Sequence, residues 1–354
     1  MSEITVIGLD LAKHVFQVHG ADPDGRPVLR KRLRRGQVLE FFASLSPCLI
    51  GMEACAGSHY WGRELQALGH EVRLIPPQYV KAYVKTNKND AIDAEAISEA
   101  LTRPTMRFTA VKSAEQQSVL MLHRTRELLV RQRTMLVNAL RGHCGEFGIV
   151  AAQGLSRAGD LIKRIEDPAD TALPDLARQA LQCLTSQIRA IQEQIALIEK
   201  KLLAWHSSCE ASRRLAEIPG VGLITATAVV ASVGNATQFR SARQFAAWLG
   251  LVPQQHSSGG KELLGHISKR GDGYIRRLLV HGARPSQLVE TQEADPLGLA
   301  HRPARPSADQ RRAARDGQQD RAHRLGHAEP RRKISRNDCR CCLNRQQPPT
   351  GLRG

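Results

Sequence analysis

No stretch of 18 or more apolar residues occurs in this 354-residue chain, which excludes an ordinary membrane-spanning helix. The opening MSEITVIGLDLAKHV carries acids where a secretory leader carries bases, which argues against classical export and for a cytoplasmic protein, nucleoid-associated if its partner is DNA. A disulfide framework is missing too: the eight cysteines fall at irregular spacings, as in ordinary cytosolic chains. Cys339, Cys341 and Cys342 lack the paired spacing and histidine partners of a zinc site. There is no G-x-x-x-x-G-K-[ST] loop, so P-loop nucleotide chemistry is excluded. Acids are scarce relative to bases: 34 Asp and Glu stand against 51 Lys and Arg, a formal charge of +17. Such an excess points to a polyanionic partner, nucleic acid first. Hydrophobic residues make up 42% of the chain, enough for a core and too many for wholesale disorder; the length fits two or more domains.

The first hundred residues read as an α/β unit. ITVIGLD is a short apolar run ending in an acid, and VFQVHG and PVLRKRL continue as strands around a turn at 22–25. RGQVLEFFASL fits a helix, CLIGMEA is a second apolar run ending in an acid, and SHYWGRELQALG is a helix closed by Gly69 before the strand EVRLIP. A further helix is expected from Asp90 to Leu101. Residues 114–145, nearly free of Gly and Pro, predict a long helix, followed by a connection over 150–174 that contains both. Leu181, Leu184, Ile188, Ile191, Ile195, Ile198 and Leu202 then recur at alternating steps of three and four. That heptad seam serves a helical hairpin, an inter-subunit coiled coil, both, or an amphipathic helix packed within its own chain. In the third unit, over about 212–287, IPGVGLITATAVVASVG resembles a helix-hairpin-helix element. Its Gly220 and Gly222 either bring backbone N–H groups to a phosphate or merely permit a tight turn.

Four acids carry the chemistry. Asp10 and Glu53 end strands, while Asp90 and Asp93 share one face of a helix. Carboxylates gathered in this way repel one another unless cations neutralise them, and Mg²⁺, an all-oxygen ion, is the natural occupant, with Mn²⁺ as substitute. Two such ions about 4 Å apart activate a nucleophile and stabilise a leaving oxygen in phosphodiester chemistry. The blander alternatives are that Asp93 is a surface residue and Asp90 a helix cap. Lys13, just after Asp10, either touches a phosphate or belongs to a turn. Lys81, Lys85 and Lys88 precede Asp90 beside Tyr79 and Tyr83; they suit a nucleic-acid backbone track with stacking aromatics, or else a solvated face.

SSGGK at 257–261 is a Gly-rich loop between two helical patterns. Ser257 and Ser258 both qualify as nucleophiles toward phosphorus, although a lone loop serine is ordinarily a turn residue. Lys261, Lys269, Arg270, Arg276 and Arg277 surround them in sequence, with Arg276 and Arg277 on the first turns of a helix expected to face the serine.

GLDLAK, GMEACAGSHYW, TNKNDAIDAEAI and the long IPGVGLITATAV to KRGDGYIRRLLVHGA stretch closely resemble, in order and spacing, DEDD-type transposases of bacterial insertion-sequence family one-ten, and within it the eleven-eleven subgroup. The resemblance covers about residues 4 to 286. It implies a RuvC-like domain of the ribonuclease H fold over 1–113, with Asp10, Glu53, Asp90 and Asp93 as a metal-binding tetrad. It further implies a helical, coiled-coil assembly region over 114–211 and a mostly α C-terminal domain over 212–287 bearing the nucleophilic serine, Ser258 by position and Ser257 as fallback. Donor and target DNA, a structured non-coding guide RNA, and a homo-oligomer built from dimers to a tetramer are the implied partners. Two other readings use the same residues: a junction-type or ribonuclease H-like nuclease that employs water, and a DNA-binding protein without catalysis.

From residue 288 the character changes. The tail to 354 has 13 Arg, a single Lys and few apolar residues, and it contributes +6 of the net charge, leaving +11 on residues 1–287. Periodicity and resemblance are lost together there, which points to a displaced reading frame; a basic nucleic-acid-binding tail is the alternative.

Overall fold

Buried Ile7 and Leu9 alternate with Gly8 along β1 (Val6–Asp10), so that one face of the strand enters an apolar core and the other admits close approach of a helix. The computed structural model describes residues 3–83, 90–261 and 263–293. β1 pairs antiparallel with β2 (Val15–Ala21), which pairs antiparallel with β3 (Pro27–Arg34). On its other side β1 runs parallel to β4 (Leu49–Glu53), and β4 runs parallel to β5 (Glu71–Ile75). The resulting order is β3-β2-β1-β4-β5. One face is covered by α1 (Val38–Ala43) and α2 (Ser58–Ala67), whose Phe42, Trp61 and Leu65 pack on Phe16, Val18 and Leu33. The short helix α3 (Pro77–Val80) follows β5, and α4 (Asp90–Leu101) lies over the opposite face, with Ile97 and Leu101 buried beside Ile75.

The long helix α5 (Ala114–Gly145) begins with a capping box, Ser113 accepting from the Gln116 amide while the Gln116 side chain accepts from the Ser113 amide. The heptad seam lies on α7 (Asp175–Ser208). It packs within the chain: Leu181 and Ile188 meet Val137 and Leu140, and Ile198 and Leu202 meet Val119, so the two helices run antiparallel. The 150–174 connection holds a helix that the sequence reading overlooked, α6 (Leu155–Glu166). Its Ala158, Leu161, Ile162 and Ile165 recur at helical steps and are buried, and that period outweighs the flanking Gly and Pro.

The C-terminal region is mostly helical: α8 (Glu210–Ala216), α9 (Leu223–Val233), α10 (Ala242–Trp248) and α11 (Gly273–Glu293). Between α10 and α11, where the sequence predicts a loop between helices, stands a two-stranded hairpin, β6 (Pro253–Gln255) with β7 (Leu264–Ile267). Met1–Val289 form one compact unit. Among the described residues no helix is long and apolar enough to cross a membrane. The 288–354 tail lies, from residue 294 on, outside the described residues.

Candidate active site

The register of the parallel pair pairs Leu9 with Met52, so Asp10 and Glu53 follow as neighbours at the carboxyl ends of β1 and β4. Side chains alternate along a strand, which puts Asp10 on the face of Gly8 and Glu53 on the face of Gly51. That is the face α4 covers. A Cβ on Gly8 would stand 2.0 Å from the Ala94 carbonyl oxygen, and one on Gly51 would stand 2.9 Å from Leu101 Cδ2. At Gly8 only glycine lets the helix backbone come so near, and the close packing holds α4, with Asp93 on its first turns, over the strands bearing the acids. Asp90 opens α4, but its side chain is outside the described residues. Burial raises the Cys55 thiol above its ordinary value, and the Glu53 and Asp10 carboxylates add to the rise.

The half-buried pair is all-oxygen and anionic on adjacent strands spaced roughly 4.8 Å. Such donors fit a hard divalent cation and repel each other without one. Among the described residues, however, no three His, Cys, Asp or Glu are close enough together to hold a metal ion. The described acids form a pair with a third nearby on α4, not a closed cage.

Behind the site, His59 on α2 accepts from the Lys112 amide at 3.1 Å and lies 3.4 Å from Lys112 Nζ, while Arg63 donates to the Lys112 carbonyl at 2.9 Å. Burial, with Lys112 and Arg63 adding to it, pushes His59 down to about 4.

The serines sit at a hairpin tip that is exposed throughout. Lys261 N donates to the Ser258 carbonyl at 3.1 Å, with Gly259 at φ 56° and Gly260 at φ 76°, both left-handed. Two successive positive φ values suit the primed turn of a hairpin, which glycine adopts at either central position without a Cβ penalty. Ser257 Oγ accepts from Leu263 N at 3.2 Å, whereas the exposed Ser258 hydroxyl has no hydrogen-bond partner among the described residues. Of the two serines, only Ser258 is left open.

The basic residues singled out in the sequence fall into three groups. Lys13 is exposed in the β1–β2 loop, Lys81 is exposed after α3, Lys261 is exposed at the hairpin tip, and Lys269 and Arg270 are exposed before α11. Arg276 and Arg277 are otherwise engaged. Arg276 donates to the carbonyls of Leu249 at 2.8 Å and Gly271 at 3.4 Å, tying α11 to the end of α10, and Arg277 pairs with Glu127 of α5 at 2.5 Å. Lys85 and Lys88 lie outside the described residues. Tyr79 and Tyr83 pack partly buried against the core under α4. Gly220, at φ 82°, lets the turn before α9 abut Gly282, where an added Cβ would stand 2.5 Å from its carbonyl oxygen; Gly222 faces open space at the start of α9.

Residues 7–147, which include all four acids, match the model for DEDD transposases of the IS110 type. Residues 212–295, which include both serines, match the model described as Transposase IS116/IS110/IS902 family. The chain is 52% identical over 279 residues to a "Probable family 20 transposase" of Pseudomonas aeruginosa, covering 78% of this chain and 82% of that one. It is 43% identical to the transposase for insertion sequence element IS1328 of Yersinia enterocolitica, covering 80% and 84%. Identity is also 43% to the transposase for IS1111A of Coxiella burnetii, covering 80% and 78%. The chain belongs to the IS116/IS110/IS902 transposase family. In this transposase the acids and the serines thus come from two separately matched segments, one built into a sheet and the other raised on an exposed hairpin.

Features that the sequence reading passed over are Cys55, the Lys112–His59 contact and the arginines of β3. The last had a signal in PVLRKRLRR, where Arg30, Arg32 and Arg34 recur at the two-residue period of a strand.

Proposed function

We propose that this chain is a DNA transposase that exchanges strands through attack of Ser258 on a phosphodiester, in a ribonuclease H-like, RuvC-like framework. The sheet order β3-β2-β1-β4-β5, with acids at the ends of β1 and β4, supports that framework, and α8, its glycine turn and α9 support a helix-hairpin-helix element. The observation that carries the reading is the pairing of Asp10 with Glu53 on the face beneath α4, in a chain that also presents an open serine. Asp10, Glu53, Asp90 and Asp93 would hold Mg²⁺, which supplies Lewis-acid polarisation of the phosphate and favours the ionised serine. Ser258 Oγ forms a bond to phosphorus as the P–O3′ bond breaks, and its proton ends on the departing 3′-oxygen. An exchanged 3′-hydroxyl then attacks the phosphoserine, restoring the serine and a phosphodiester, so bond energy is conserved without a nucleotide cofactor.

A structured RNA pairing with donor and target DNA would select the sites, and the net +11 of residues 1–287 suits both polyanions. Assembly into a homo-oligomer is supported by α5, where Met121, Leu128 and Met135, 66%, 49% and 70% exposed, repeat at seven-residue steps. The fully exposed hairpin is suited to reach the acids of another subunit.

The test is incubation of the full chain with donor DNA, target DNA, flanking non-coding RNA and Mg²⁺. The parent should yield recombined strands and a trapped protein–DNA adduct. Ser258→Ala should lose both, Ser257→Ala should retain them, and Asp10→Ala should lose both while still binding DNA. If Ser258→Ala cleaves to the same products and no adduct is trapped, a water-using nuclease replaces this reading. Unaltered behaviour of Asp10→Ala in every assay would leave only a DNA-binding protein.

A further inference from the structure

β3 is the edge strand of the sheet, and residues 26–35, RPVLRKRLRR, hold six bases and no acid. The two faces of β3 have different work. Leu33 is buried with Phe16 beneath the helices of one face, and Lys31 on that side lies over the Phe41 ring at 4.6 Å. Arg30, Arg32 and Arg34 alternate onto the other face.

The register identifies that face. Arg32 is directly opposite Gln17, and Gln17 is directly opposite Asp10. Residues opposite one another in antiparallel strands share a face, so Asp10, Gln17 and Arg32 form one row across the sheet. Arg32 is therefore two strand spacings from the acid, roughly 10 Å at the backbone. Arg30 is opposite His19, and His19 is opposite Gly8, one row further in; Arg34, opposite Val15, stands one row beyond the carboxylate end. Three arginines thus step past the acid along the strand, about 6.6 Å from one to the next.

Between β2, β3 and the start of α4 lies a cleft of about 240 Å³ lined by Gln17, His19, Arg30, Arg32 and Ala91, the last adjoining Asp90. Arg30 is anchored at its wall by Glu95 of α4 at 3.3 Å. Arg32 and Arg34 are exposed and have no acidic partner among the described residues.

We propose that Arg32 and Arg34, with the cleft beside Arg30, form a phosphate track that leads a nucleic-acid strand across the sheet onto the Asp10–Glu53 pair. This rests on reading that pair as the reaction centre. The ligand chemistry is a phosphodiester backbone, whether of DNA or of RNA. The rival account of the same arginines is edge protection, since charged side chains keep an open strand from pairing with another chain. One or two charges would serve that purpose on either face; here they concentrate on the face with the acids.

Charge reversal separates the two accounts, because glutamate guards an edge as well as arginine does. The full chain, Arg32→Ala/Arg34→Ala, Arg32→Glu/Arg34→Glu and, as a remote control, Arg26→Glu are titrated without Mg²⁺ against duplex DNA and, separately, flanking non-coding RNA over a range of salt. The alanine pair should make the slope of log K against log salt shallower by roughly 1.5, with weakening uniform across sequences, and the glutamate pair should weaken binding further. Arg26→Glu should leave the slope unchanged. The polymer whose slope changes identifies the strand on the track. A photo-crosslinker at position 32 should mark nucleotides next to the exchange point. Unchanged slopes on both polymers, with aggregation of the alanine pair and not of the glutamate pair, would establish edge protection and overturn the track; so would crosslinks confined to nucleotides remote from the exchange point. Binding is read without strand exchange. A failure of the reaction-centre reading, seen as an Asp10→Asn protein that still recombines DNA, is therefore distinguishable from failure of the track.

Discussion

The carboxylate-bearing sheet and the serine-bearing hairpin are assembled by opposite means. Asp10 and Glu53 are half-buried at the ends of strands whose Ile7, Leu9, Ile50 and Met52 are wholly buried, so their spacing is set by a core that includes residues far apart in the chain. Ser258 is exposed on a hairpin none of whose described residues is buried, and its placement depends on a four-residue turn with two left-handed glycines. The acids are held by packing, whereas the serine stands on an exposed hairpin set by its turn. If Ser258 is the nucleophile proposed above, a packed centre and a projecting serine would divide the work of carrying a covalently held strand to a new partner.

The sharpest way to break the comparison is at Gly8. Gly8→Ala forces a methyl group against the Ala94 carbonyl and should cost about 3 kcal/mol or more, with strand exchange lost through unfolding, as urea denaturation would show. The packing of α5 against α9 and α11 comes next. His123 of α5 is 1% exposed, with Nδ1 3.0 Å from the Tyr274 hydroxyl and Nε2 3.0 Å from the Thr227 hydroxyl. Thr227 gives its proton to the Leu223 carbonyl, so Nε2 donates and Nδ1 accepts. His123→Ala should cost about 2 kcal/mol or more by leaving these groups unpaired.

Burial, with Arg126 adding to it, pushes His123 down to about 4, as happens to His59. The unfolded chain takes up these protons below about 6.5 and the folded chain only near 4. Stability present above pH 6.5 should therefore fall as pH drops from 6.5 to 4, and the fall should shrink in a His123→Asn protein; denaturant midpoints across that range would show it.

Smaller effects sharpen the contrast. Mg²⁺ at ten times its Kd should stabilise the parent by about 1.4 kcal/mol, and Asp10→Asn should abolish that gain, measured as a shift in Tm with and without chelator. At the hairpin, Gly260→Ala meets open space and is opposed only by its φ of 76°, so it should cost about 1 kcal/mol locally while the global Tm stays nearly constant and strand exchange drops. A large fall in global Tm from that change would show that the hairpin is part of the core after all.

Most elements were legible from local pattern: the strands ending at Asp10 and Glu53, the helix from Asp90, and the seam from Leu181 to Leu202. The helix over 155–166 was missed because Gly154, Gly159 and Pro168 obscured a four-residue apolar period, although none of them interrupts its buried face. The hairpin was missed for a different reason. PQQ and LGHI are short, exposed and without alternation, so no burial pattern marks them as strands. The sequence expects Arg276 and Arg277 to face the serine; it does not show that carbonyls of Leu249 and Gly271 and the carboxylate of Glu127 also engage them, partners 5 to 150 residues away.

By itself the sequence determined the residue types at each strand end, the helical and strand periods, and the turn chemistry of SSGGK, because these depend on neighbours within a few positions. Only the tertiary structure decided that Asp10 and Glu53 share a face, that α4 lies over them, and that Arg32 stands in the row of Asp10. Cross-strand register is set by which alternate residues the core must bury, and a one-residue slip would turn every one of these side chains to the opposite face.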